Sequence, residues 1–185
     1  MPSNLHIVLG VTGSIAAYKA AELVRLLAKA GNEISVMMTA SASKYVGPLT
    51  FHALSGRPVY TGRFDETAEE AFAHIELARA ADLMLIAPCT ANMAAKVAHG
   101  IADDLVSATV LARSVPLVVA PAMNDRMWNN PATQANISLL RERGIHVLDV
   151  GRGSLACGTV GEGRMLEPES IVDALQGIRA SEESG

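Results

Sequence analysis

The side chains that could do chemistry in this sequence lie far apart along it: His74, Asn124 and Cys157. Asn124 sits in Pro121-Ala-Met-Asn-Asp-Arg-Met-Trp128. Its amide carries both donors and an acceptor, so it could orient a carboxylate or amide without adding charge. Met123, Met127 and Trp128 would supply a polarisable apolar wall beside it. The plainer account of the same residues is a turn, in which Asn124 satisfies nearby backbone and the apolar residues are core. His74, in Ala73-His-Ile-Glu-Leu77, has an ordinary pKa of about 6.5, which suits proton transfer or charge pairing near neutrality. It could equally be a structural histidine. Cys157 lies in the glycine-rich span 151–164, which reads as a loop, and a thiol there would be accessible. An incidental thiol in a flexible segment is the alternative.

Something must position these groups, and the chain supplies a succession of strands and helices. His6 to Gly10 is an apolar run ending in Val11-Thr-Gly-Ser14, after which Leu23, Leu26, Leu27 and Ala30 recur at helical spacing. This predicts strand, glycine turn and helix, a geometry that points backbone N–H groups at an anion. The turn is neither a full dinucleotide fingerprint nor a P-loop, and a connection without a ligand fits it as well. Glu33 to Met38 predicts a second strand, with the hydroxyls of Thr39 and Ser41 at its end. A helix over 44–55 interrupted near Gly47-Pro48 follows, then a loop over 56–68. His74 comes just before a third strand, Leu83 to Ala87, whose end carries Thr90 and Asn92 ahead of a helix through about His99. Val115 to Ala120 predicts a buried parallel strand delivering the Asn124 segment. Asn130-Pro131 opens a helix with Thr133, Ile137 and Leu140 on one face, Ile145 to Asp149 is a further strand, and a last helix starts near Pro168. Small polar residues at successive strand ends describe an α/β protein.

Composition limits the rest. Half of the residues are apolar and only 4% aromatic, so the core must be built from Ala, Val, Leu, Ile and Met. A net charge of -4 without a basic block argues against a nucleic-acid surface. The apolar runs are too short to span a bilayer, and no signal peptide stands at the start, which points to the cytoplasm. There Cys89 and Cys157 should be free or catalytic thiols, not a disulfide. Asp103 and Asp104 have no His or Cys at ligand spacing, so helix capping is preferred and no metal is expected. We expect one domain over 1–179, with 180–185 a disordered tail or the start of a linker.

Pro-x-Met-Asn-x-x-Met-Trp over 121–128, together with Gly10 to Lys19, His74 to Leu77, Pro88 to Asn92, Ala156 to Gly158 and Gly163 to Met165, resembles the homo-oligomeric flavin-containing cysteine decarboxylases. The resemblance implies a doubly wound parallel sheet with helices on both faces, and FMN held by Gly13, Ser14, Ile15, Thr39, Ser41, Thr90, Ala91, Asn92, Met93, Ser107 and Ala122. It implies His74 as the active-site histidine, Asn124 as a contact to the substrate carboxylate, and Cys157 as a cysteine on a substrate lid. Met127, Ala156 and Gly158 would complete the substrate site. The implied reaction is decarboxylation of a small thiol, 4'-phospho-N-pantothenoylcysteine, to 4'-phosphopantetheine in coenzyme A synthesis. It would run by thiol oxidation, loss of CO2 and re-reduction of the enethiol, with Cys157 as proton donor. Homotrimers or homododecamers are implied, and the chain would be a stand-alone enzyme or the first half of a bifunctional one. The alternatives are an oxidative peptidyl-cysteine decarboxylase of lantibiotic type, which lacks the lid cysteine, and a non-catalytic flavin-binding regulatory subunit. Flavin prenyltransferase shares the fold but not the Pro-x-Met-Asn signature.

Overall fold

The computed structural model describes residues 5–61, 72–154 and 160–182. Its main sheet has six parallel strands in the order β3-β2-β1-β4-β5-β6. These are β1 (His6–Val11), β2 (Glu33–Met38), β3 (Val59–Tyr60), β4 (Leu83–Cys89), β5 (Leu117–Pro121) and β6 (His146–Val147). The central strands are apolar on both faces because helices cover both. Alternate side chains accordingly enter different cores. Ile7, Leu9 and Val11 of β1 join Leu85 and Val118 on one face. Val8 joins Met84, Ile86 and Val119 on the other.

The first face is covered by α1 (Ala17–Lys29), α2 (Pro48–Ser55) and α8 (Pro168–Glu182), through residues such as Leu23, Leu27, Phe51, Ile171 and Leu175. The second is covered by α3 (Ala73–Ala80), α4 (Ala91–His99), α5 (Leu105–Ala112) and α7 (Pro131–Glu142). Helix α5 is buried almost all round, from Leu105 to Val110. Such a helix can exist only inside a structure. Its buried Thr109 hydroxyl donates to Leu105 O at 2.7 Å.

The sequence reading and the structure part company at several points. His74, expected just before the third strand, stands in the helix α3, which the sequence reading did not name. Ala73, Leu77 and Ala78 are buried at helical spacing, and an alanine-rich segment favours helix. The span 151–164 is not all loop, since β7 (Gly151–Ser154) and β8 (Val160–Arg164) form an antiparallel pair. Its glycines serve close approach. A Cβ on Gly163, at φ 126°, would lie 2.4 Å from Met123 O, and one on Gly161 would lie 2.7 Å from Asp125 Cβ. Met123 N–H donates to Gly163 O at 2.8 Å, so β8 lies against the loop after β5. The expected loop over 56–68 contains the edge strand β3. Helix α8 runs on to Glu182, beyond the Arg179 at which the domain was expected to end.

Candidate functional site

In this strand order the chain winds outward from β1 through β2 to β3, then returns to place β4 on the other side of β1. The connections after β1 and β4 therefore leave in opposite directions and open a crevice, which is where doubly wound folds bind ligands. A cavity of about 750 Å³ occupies that position, a size suited to a cofactor or a small substrate. Gly13, Ser14 and Ile15 from the end of β1, Thr39 and Ser41 from the end of β2, and Thr90 to Met93 from the end of β4 line it. Ala122, Met123 and Met127 come from the end of β5 and the short helix α6 (Asp125–Trp128).

Local chemistry accounts for this shape. Thr12, buried to 1% exposure, donates to Pro88 O at 2.7 Å and accepts from Thr90 N–H at 3.1 Å. One hydroxyl thus ties the two diverging connections together. A Cβ on Gly13 would fall 2.4 Å from Ser41 Cβ, so only glycine allows the loops after β1 and β2 to meet. Thr90 caps α4, its Oγ1 accepting from Met93 N–H at 3.2 Å. The capping and cavity-lining readings of Thr90 hold together.

Sequence reasoning picked out every strand-end residue just named except Thr12. It missed Thr12, Ala40, Tyr45, Lys96 and Asp104, all of which line the cavity. A buried threonine before a glycine turn carries no periodic signal. Lys96 and Asp104 could have been found as a charged pair flanking a helix end. Ser107 does not line the cavity. It is buried in a capping box, its N–H donating to Asp104 Oδ1 at 2.9 Å and its Oγ accepting from Asp104 N–H at 3.2 Å. It therefore supports the wall that Asp104 presents. The capping account of the two aspartates is the one observed for Asp104.

Asn124 caps α6, with its Oδ1 accepting from Arg126 N–H at 2.9 Å. The turn reading is thus realised, beside a Met123 that lines the cavity. His74 is partly buried on α3 and is not among the described residues lining the cavity. Ala156, Cys157 and Gly158 lie outside the described residues. Cys89 is buried at the end of β4, and burial pushes its thiol up to about 12. It is no nucleophile at neutral pH. Among the described residues no group of His, Cys, Asp and Glu could hold a metal ion, and no helix is long and apolar enough to cross a membrane.

Comparison with known proteins places this geometry among relatives. A family model described as Flavoprotein matches residues 1–180. The coenzyme A biosynthesis bifunctional protein of Vibrio vulnificus is 49% identical over 166 residues, which is 90% of this chain and 41% of the relative. That of Bacillus subtilis is 46% identical over 184 residues, 100% of this chain and 45% of the relative. The chain thus spans less than half the length of the curated relatives it matches. Among solved structures, a variant PPC decarboxylase complexed with pantothenoylaminoethenethiol superimposes with a TM-score of 0.84 at 31% identity, covering 96% of this chain and 99% of the other. The FMN-dependent cysteine decarboxylase SpaF gives 0.75 at 36% identity, covering 86% and 89%.

Proposed function

The chain belongs to the flavoprotein family, and from that premise we propose that it is an FMN-dependent decarboxylase converting 4'-phospho-N-pantothenoylcysteine to 4'-phosphopantetheine. The observation that carries the reading is the cavity at the point where the strand order reverses, lined by small hydroxyl and amide residues from successive strand ends. These residues fit FMN. Ser14, Thr39, Ser41, Thr90 and Asn92 offer donors and acceptors to a ribityl phosphate and a ring edge, while Met93, Met123 and Met127 offer a polarisable wall. FMN, when bound, supplies a two-electron acceptor that takes electrons from the substrate thiol and later returns them.

The substrate chemistry explains why such an acceptor is needed. The cysteinyl amine is acylated, so it cannot form a Schiff base, and direct loss of CO2 would leave charge on an unstabilised carbon. Oxidation of the thiol to a thioaldehyde provides a C=S group that takes up the electron pair as CO2 departs, leaving an enethiolate. In this reading Asn124 and His74 orient the carboxylate and hold it away from water. Cys157 protonates the enethiol carbon as it is reduced, so the overall reaction has no net oxidation. Protein and substrate meet in the cytoplasm, as coenzyme A synthesis requires. His74 is not among the described residues lining the cavity, and the proposal includes a homo-oligomer in which a second copy of the chain brings it there.

Anaerobic incubation of the purified protein with 4'-phosphopantothenoylcysteine, followed by mass spectrometry, tests it. The expected product is lighter by CO2 alone. Loss of CO2 and two hydrogens with bleached flavin would move the protein to the oxidative peptidyl-cysteine class. Absence of turnover by a flavin-loaded protein would favour a binding subunit.

A further inference from the structure

Among the described residues, Lys96 and Asp104 are the charged ones of the cavity lining. Lys96 projects from α4 with its side chain only 16% exposed, and its Nζ lies 2.6 Å from Asp103 Oδ1 and 2.6 Å from Asp104 Oδ2. Asp104 uses its other oxygen to cap α5, accepting from Ser107 N–H at 2.9 Å. One ammonium thus ties the body of α4 to the cap of α5 across the intervening turn. Burial alone would lower the Lys96 pKa, but the hydrogen bonds and charges of Asp103 and Asp104 outweigh it and hold the pKa above the usual ammonium range. The same contact holds the Asp103 carboxyl below its ordinary value. Lys96 is therefore held as a cation between two carboxyl groups.

We propose that Lys96 is a positioning residue for the bound flavin: clamped between Asp103 and Asp104, it holds the α4–α5 connection as one wall of the cavity and sets the charge that the flavin meets there. This rests on the flavin reading above. Two consequences follow from charge. Without Lys96 the wall carries two carboxylates and no cation, which disfavours reduced flavin because reduction adds negative charge. Without the charge of Asp103, whose side chain is 60% exposed and which does not cap α5, the cluster goes from one net negative charge to none with the cap intact.

The test compares wild type with Lys96→Met, Lys96→Arg and Asp103→Asn. FMN affinity is read by fluorescence titration of the apoproteins, and the flavin potential by anaerobic dye titration of the holoproteins. Lys96→Met is expected to weaken FMN binding about tenfold or more, as for loss of a charge-assisted hydrogen bond, and to lower the potential. Asp103→Asn should raise the potential. Lys96→Arg should restore most of the affinity, since a guanidinium can reach both carboxylates. A lesion in folding alone would not move the potential in opposite directions in the two charge variants. Wild-type affinity and potential in Lys96→Met would overturn the inference while leaving the flavin reading intact. Failure of the wild-type protein to bind FMN would overturn both.

Discussion

Gly13 and Ser41 show how little room the cavity has for change at single positions. The Cβ of an alanine at 13 would meet Ser41 Cβ at 2.4 Å and the Ser41 carbonyl carbon at 3.2 Å, so the obstacle is backbone and cannot rotate away. Gly13→Ala must push the loops after β1 and β2 apart. We expect it to destabilise the fold by about 1–3 kcal/mol, as overpacking does, and to reduce FMN affinity at least tenfold. Denaturant melts and fluorescence titration measure the two effects, and unchanged affinity would show that the loops can separate freely. Asn124 makes a different point at this scale. Its amide caps α6 through one oxygen, so a cap and a proposed substrate contact occupy one side chain. An asparagine in a turn looks the same in a sequence whether or not it serves a ligand.

Between elements, the decisive contact is the Thr12 hydroxyl, which joins the end of β1 to the turn after β4. Thr12→Val keeps the shape and removes both hydrogen bonds, leaving the buried Pro88 carbonyl and the Thr90 N–H unmatched. The expected cost is about 1–3 kcal/mol, with FMN affinity falling as the two walls lose register. A denaturation midpoint equal to wild type would mean that water replaces the hydroxyl. A second tie between elements is Lys19 of α1, 6% exposed, whose Nζ donates to Met165 O at 3.2 Å and to Glu167 Oε1 at 2.7 Å. It fastens the base of β8 and α8 to the helix whose leading turn lines the cavity. Neither tie can be seen locally, because each joins residues more than seventy positions apart.

For the molecule as a whole, the proposed supply of His74 by a second copy of the chain carries the strongest consequence. A His74→Asn variant and an Asn124→Ala variant should each bind FMN yet lose about a hundredfold or more in turnover, the range for a misplaced substrate. Mixing and reassembling the two should recover part of the activity, because a mixed interface contains one intact set of residues. Light scattering should report an assembly larger than one chain. Recovery of nothing from a verified mixed oligomer would place all catalytic groups in one subunit.

Most elements were legible in the sequence because their signals are short-range. The apolar runs His6 to Gly10, Glu33 to Met38 and Leu83 to Ala87 became β1, β2 and β4, and Asn130-Pro131 opened α7 as its cap-then-Pro order predicts. The glycine-rich strands β7 and β8 and the helical setting of His74 were not legible. The first depend on close approach to Met123 and Asp125, and the second on burial of Ala73, Leu77 and Ala78 against a distant core. By itself the sequence determined the succession of strands and helices and the residue types at the strand ends, since backbone preference and hydrophobic period act over a few residues. Only the tertiary structure decided the strand order, which loops converge on one cavity, and that Lys96, Asp104 and Thr12 build it. Those depend on packing between residues that chain order keeps apart.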